Sequence, residues 1–144
     1  MSGAGDDYQK IAANRKARHE YFILEKFEAG IELFGTEVKA VRAGQVNLAG
    51  AFARIESGEA FIHNLSISPY EQGNRFNHEP GRPRRLLLHR REIEQLRVQI
   101  EQKGHTLVPL SVYIKRSRVK VQLGICRGKQ VADKRETMRR KTAR

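Results

Sequence analysis

The chain has 144 residues, 39% of them hydrophobic and 31% charged, and carries a net charge of +12 with a pI near 10.3. This length suits one folded domain, and the basic balance selects a polyanionic partner, with nucleic acid the first candidate. Insertion into a membrane is excluded, because no apolar run approaches the roughly 20 residues needed to span one. The lone Cys126 excludes an internal disulfide and fits a cytoplasmic setting.

Residues 1–13 read as a flexible arm whose acidic start is unlike a secretory signal. Asn14-Arg15-Lys16-Ala17-Arg18-His19 then gives a basic lead-in, with Arg18 and His19 as candidate RNA contacts. Tyr21-Phe22-Ile23-Leu24, continued at Phe27, reads as a strand buried on both faces. Thr36 is placed to cap a short helix, Glu37 suits its positive end and Gly44 can stop it. On that helix Val38 and Val41 face the core. Lys39 and Arg42 share the opposite side, either as phosphate contacts or as a solvated face.

Ala51, Ala53 and Ile55 alternate, Ser57-Gly58 marks a turn, and Ala60 to Leu65 runs back as the second strand of a hairpin. From Ser68 to Pro83 the prolines and glycines break regular structure, while Tyr70, Arg75, Phe76 and His78 supply stacking and hydrogen-bonding groups. An irregular stretch of this length is usually functional or mobile, and Arg75 is a candidate RNA contact. Arg82, Arg84, Arg85, Arg90 and Arg91 then bracket Leu86-Leu87-Leu88 as a basic patch, with Arg85 a further candidate.

His89 to Lys103 has the stripe of a helix in Ile93, Leu96 and Ile100, closed by Gly104. Thr106 to Ile114 reads as a strand whose Pro109 implies an edge or a bulge. Lys115-Arg116-Ser117-Arg118 turns it into a second hairpin through Val119, Val121 and Leu123. The sum is a mainly β domain with two to three peripheral helices. A small antiparallel barrel of the OB type, closed so that no long sheet edge is exposed, fits the size. The domain is expected over residues 14–126, followed by a basic tail at 127–144.

No enzymatic constellation emerges. His19, His63, His78, His89 and His105 make no zinc-binding pattern, and neither a serine elbow nor a phosphate-binding glycine loop occurs. No cofactor or metal is therefore expected. The basic groups read better as contacts to phosphate, and the aromatic and guanidinium planes as platforms for unpaired bases.

The tail holds eight Lys/Arg against two acids between Arg127 and Arg144. Asp133 and Glu136 form a capping-box pattern ahead of Arg139, Arg140 and Lys141. The segment after Asp133 has only about eleven residues, below the roughly 12–15 an isolated helix needs, and Met138 is its one large apolar side chain. A tail disordered when free and helical on an anionic partner follows.

Several strings together resemble the bacterial SsrA-binding protein family, also called small protein B. They are Asn14 to Tyr21, Phe27 to Ile31, Gly35 to Gly44, Ile67 to Glu71, Arg84 to Leu88, Leu107 to Leu110, Lys120-Val121 and Asp133-Lys134-Arg135. Each is weak alone, but their order along the chain is specific. The resemblance implies an OB-like domain that binds the tRNA-like domain of transfer-messenger RNA and delivers it to stalled ribosomes for trans-translation. It implies indirect partners in elongation factor Tu and alanyl-tRNA synthetase, through the RNA. The family's RNA-binding positions fall on His19, Glu28, Leu87, His89 and Lys120. Its tail, which would lie in the decoding centre and mRNA channel, maps onto Gly128, Lys129, Asp133, Lys134, Arg135, Arg139, Arg140 and Lys141. The chain departs from the family pattern at Ala132 (an aromatic or His in many relatives), at Gln130 (often Lys) and in its short C-terminus. A ribosomal or rRNA-associated basic protein is the alternative that composition alone allows.

Overall fold

Nine strands and three helices follow one another in the computed structural model, which describes residues 8–68 and 79–129. In chain order they are β1 (Tyr8–Ala13), α1 (Ala17–Glu20), β2 (Tyr21–Ile31), α2 (Gly35–Arg42), β3 (Val46–Asn47), β4 (Phe52–Glu56), β5 (Glu59–His63), β6 (Ser66–Ile67), β7 (Arg84–Leu87), α3 (Arg90–Glu101), β8 (Thr106–Lys115) and β9 (Arg118–Gly128). Seven strands form one antiparallel sheet in the order β1-β8-β9-β2-β7-β5-β4, and β3 pairs with β6 apart from it. The mainly β, OB-like architecture is thus present.

Alternation along the strands separates the two faces of this sheet. Ala29, Ile31, Ala60, Ile62, Leu86, Val112, Val121 and Leu123 point inward to one buried core, which α2 completes with Ala40 and Val41 and α3 with Leu96. A smaller apolar cluster lies on the opposite, outer face, where Ala17 of α1 covers Val108, Leu110 and Cys126. Burial there raises the Cys126 thiol to about 11.

The hydrogen-bonded ladder does not close into a barrel, because β1 and β4 remain its edges. β4 packs against β8 without pairing to it. Pro109 has no N–H to offer, and Asn14 occupies the carbonyls of both Pro109 and Leu110 at 3.0 and 2.8 Å. The expected bulge does occur between Pro109 and Ser111, but β8 is an interior strand flanked by β1 and β9.

Three further expectations change. Residues Tyr8–Ala13, read as part of a flexible arm, form β1, paired to β8 from Tyr8↔Lys115 to Ala13↔Ser111. β2 is not buried on both faces: a register shift between Ile23 and Glu25 leaves Leu24 half-exposed. The N-cap of α2 is Phe34 rather than Thr36, since Glu37 Oε1 accepts the Phe34 N–H at 2.8 Å. Gly44 and Gly104 follow α2 and α3 at φ +78° and +68°, a conformation that glycine adopts without a Cβ penalty.

Arg84 and Glu37 explain part of the arginine-rich segment. Both are fully buried and paired at 2.6 Å. Arg84 also donates to the carbonyls of Leu65, Pro80 and Arg82 at 2.7, 3.0 and 3.0 Å. Arg82 donates to Glu37 as well and lies 4.2 Å over the Phe34 ring. Two of the five bracketing arginines therefore hold α2 against the chain on either side of residues 69–78, rather than forming a free basic patch. Burial alone would raise the Glu37 carboxyl. The Arg82 and Arg84 guanidiniums and the Phe34 N–H outweigh it and hold the group below the ordinary carboxylate range.

Candidate nucleic-acid interface

The outer face of the sheet carries its polar side chains in rows set by strand register. Glu28 opposes Gln122, Gly30 opposes both Lys120 and Leu87, and Lys120 opposes Tyr113. Glu28, Gly30, Leu87 and Lys120 consequently share one groove of about 390 Å³ with Arg85, His89, Glu59 and Glu92. Gly30 makes room for Leu87: a Cβ there would stand 3.2 Å from Leu87 Cβ. Leu87 lies across β2 as a half-exposed apolar floor, 46% accessible. His89 enters the groove from the N-cap of α3, where its own N–H is taken by Glu92 Oε1 at 3.0 Å.

Glu28 is held in place from across the sheet. The Tyr113 hydroxyl donates to its Oε2 at 2.5 Å, and Lys115 Nζ approaches the same oxygen at 3.4 Å. The Tyr113 hydrogen bond, opposed by burial and helped by Lys115, holds the Glu28 carboxyl below its ordinary value. Burial, and then Glu28 itself, push the Tyr113 hydroxyl well up, so it remains a donor. Both contacts fall on Oε2, which leaves Oε1 able to accept hydrogen bonds. Arg85 is partly committed, pairing with Glu32 at 3.2 Å and Glu59 at 3.7 Å. Cations, carboxylates and an apolar floor together suit base edges and ribose hydroxyls better than a bare row of phosphates.

Other sequence candidates lie outside this groove. Arg42 reaches the tip of the β8–β9 hairpin and donates to the Ser117 carbonyl at 3.1 Å, with Lys39 exposed one turn earlier on α2. Arg18 and His19 lie on α1, which covers the far end of the same outer face, away from the groove. A second cleft of about 580 Å³ beside α1 is bordered by Asn14, Arg15, Lys16 and Tyr21. Gly128 ends β9, one strand residue beyond Arg127, so the tail boundary expected after Cys126 falls inside the strand. Lys129 is fastened to α1: its N–H donates to the Glu20 carbonyl and its Nζ to the Arg18 carbonyl, both at 2.9 Å. Arg75, Asp133, Lys134, Arg135, Arg139, Arg140 and Lys141 lie outside the described residues, as do Tyr70, Phe76 and His78.

Tyr113, Lys115, Glu59 and Glu92 were not anticipated at the site. The signal for the first two was available, since counting outward from the turn at Arg116-Ser117 puts Tyr113 beside Lys120. Among the described residues no three His, Cys, Asp or Glu side chains gather as a metal site, and no helix is long and apolar enough to cross a membrane.

Comparison with known proteins bears directly on this surface. The profile of the SmpB protein family matches residues 11–144. The chain belongs to the SmpB protein family. It is 60% identical over 134 residues to the SsrA-binding protein of Shouchella clausii, covering 93% of this chain and 86% of that one. The SsrA-binding protein of Carboxydothermus hydrogenoformans is 59% identical over 133 residues, covering 92% and 89%. A chain solved in "tmRNA-SmpB: a journey to the center of the bacterial ribosome" superposes with a TM-score of 0.70 at 51% identity, covering 91% of this chain and 96% of its own. Of the residues expected from the family resemblance, Glu28, Leu87, His89 and Lys120 meet in the groove, whereas His19 stands apart on α1.

Proposed function

We propose that the chain is a non-enzymatic RNA-binding adaptor of the cytoplasm. It binds the tRNA-like domain of transfer-messenger RNA and delivers it to stalled ribosomes for trans-translation. The observation that supports this reading is the meeting of Glu28, Leu87, His89 and Lys120 in one groove of an SmpB-family chain. Lys120 in the groove and Arg42 at the tip of the β8–β9 hairpin supply attraction to phosphate. The free Oε1 of Glu28 and the Leu87 floor supply discrimination, because a carboxylate repels phosphate and rewards only a base edge or 2′-hydroxyl donor. Arg18 and His19 on α1 extend the contact along the outer face, Arg85 lines the groove, and Lys39 on α2 is a further cation for phosphate. Elongation factor Tu and alanyl-tRNA synthetase are reached only through the bound RNA. The segment beyond Lys129 carries the ribosomal contacts of the decoding centre and mRNA channel, begun by Asp133-Lys134-Arg135.

Competition binding at fixed salt tests the assignment. The tRNA-like domain should displace itself far better than an unrelated structured RNA of equal length does. Equal competition by both would reduce the protein to a general rRNA-type binder and remove the adaptor reading.

A further inference from the structure

The RNA-facing surface does not stop at Glu28, and its continuation comes from the part of the chain that the sequence left as an arm. β1 pairs with β8 so that Tyr8 opposes Lys115 and Lys10 opposes Tyr113. Both therefore stand on the outer face that carries Glu28, Lys10 in the row of Tyr113 and Lys120, and Tyr8 in the adjacent row with Lys115 and Arg118. The Tyr8 ring lies 5.1 Å from the Tyr113 ring at an interplanar angle of 34°, and Tyr113 is the residue that grips Glu28. Tyr113 is buried while Tyr8 is 47% exposed, one of four large apolar side chains that the described residues leave open to solvent. An aromatic ring in that position, with Lys10 on its own strand, Lys115 opposite and Arg118 next in the same row, combines a stacking plane with the positive charge that draws a nucleic acid backbone past it. The match to the family profile starts at residue 11, so Tyr8 lies just ahead of the matched residues.

We propose that Tyr8 is an RNA-contacting residue of this chain, whose exposed ring stacks on an unpaired base and extends the Glu28 groove onto β1. The occupant follows from continuity with that groove and from the lysines around the ring; Tyr113 behind it keeps the ring upright on the sheet. This inference rests on the reading of the outer face as an RNA surface.

The test uses the full-length chain, which contains no tryptophan. In the Tyr8→Trp variant an indole replaces the phenol as the sole reporter of its kind, and titration with the tRNA-like domain should quench or shift its emission as the base stacks. In parallel, Tyr8→Ala should weaken RNA binding by about tenfold, the lower end of what base–aromatic stacking contributes, while Tyr8→Phe stays within about twofold of the parent. Unchanged tryptophan emission at saturating RNA, together with Tyr8→Ala binding as tightly as the parent, would overturn the proposal. If Tyr8→Ala fails to fold, the emission of the folded Tyr8→Trp protein decides alone. Should the parent bind all structured RNAs equally, the adaptor reading fails, yet quenching by whichever RNA binds still decides the role of Tyr8.

Discussion

Tyr113 on β8 reaches across β9 to donate a 2.5 Å hydrogen bond to Glu28 on β2. The contact spans two strand spacings of the sheet and fixes a carboxylate in the middle of a basic surface. A freely rotating glutamate there would collapse onto Lys120 or Lys115, and its charge would only cancel theirs. With Oε2 occupied, Oε1 remains as an acceptor on a carboxylate held at the groove wall, which is the preorganisation that makes a single hydrogen bond selective.

Removing the carboxylate should therefore weaken binding even though it raises net positive charge. Glu28→Gln and Glu28→Ala are expected to lose about tenfold or more in affinity for the tRNA-like domain, the scale of a hydrogen bond to a charged group. Filter binding at fixed salt reads this, and tighter binding by Glu28→Ala would make Glu28 a mere counter-charge.

Tyr113→Phe tests the same contact through pH. The Glu28 carboxyl is held below its ordinary value, so its charged form persists to pH below the ordinary range and is lost only as pH falls through the depressed value. Without the hydroxyl the group titrates closer to the ordinary carboxylate value of about 4.3. The ratio of variant to parent affinity should then fall as pH is lowered toward 5 and below. Taking the ratio cancels titrations common to both proteins. Parallel pH profiles would show that Tyr113 does not act through Glu28.

Glu37 should matter to stability rather than to RNA. It is fully buried between two guanidiniums, and losing it leaves the buried Arg84 uncompensated, a change that costs about 3–5 kcal/mol. Glu37→Gln is expected to lower the denaturant midpoint accordingly. The Glu37→Leu, Arg84→Met pair should not recover the loss, because the Leu65 and Arg82 carbonyls would lose the Arg84 donor. The folded carboxyl lies below its ordinary value, so this stabilisation is present at neutral pH and is lost as pH falls through the depressed value. An acid limb equally steep in parent and Glu37→Gln would contradict that link.

How much of this was legible in the sequence differs between local and long-range features. The β4–β5 and β8–β9 hairpins were readable because Ser57-Gly58 and Arg116-Ser117 are local turn signals between alternating strands. The α3 stripe of Ile93, Leu96 and Ile100 was readable for the same reason. β1 was not, since its pairing to β8 joins residues about a hundred apart in the chain and its own residues show little alternation. Arg84 looked like its neighbours in a basic run. Only the fold brings Glu37, separated by more than forty residues, against its guanidinium and makes it part of the interior. The groove itself was readable only through family resemblance, because strand register, not sequence spacing, places Glu28, Leu87 and Lys120 together.

Gly30→Ala separates the groove from the fold. The new Cβ would meet Leu87 Cβ at 3.2 Å and Cδ1 at 3.4 Å, and Leu87 is exposed enough to move aside. Alanine also loses less backbone entropy than glycine in a strand. The variant should unfold within about 1 kcal/mol of the parent while binding RNA several-fold more weakly. A parallel loss of stability and affinity would assign Gly30 to the core instead.

The C-terminal segment is best removed after Lys129, not after Cys126. Truncation to residues 1–129 keeps the Tyr21↔Gly128 and Phe22↔Arg127 pairs and both bonds from Lys129 to α1. Its affinity for the isolated tRNA-like domain should stay within about twofold of the parent, since the lost basic residues add only a salt-screened attraction. Release and tagging of stalled nascent chains in a reconstituted translation system should nevertheless disappear. Truncation to residues 1–126 removes the strand end together with the Lys129 fastening. α1 would then lose the anchor that holds Arg18 and His19 on the outer face, and RNA affinity should fall as well. If the 1–129 protein already binds RNA as poorly as the 1–126 protein, the selecting surface extends into the tail, and the division between groove and tail fails.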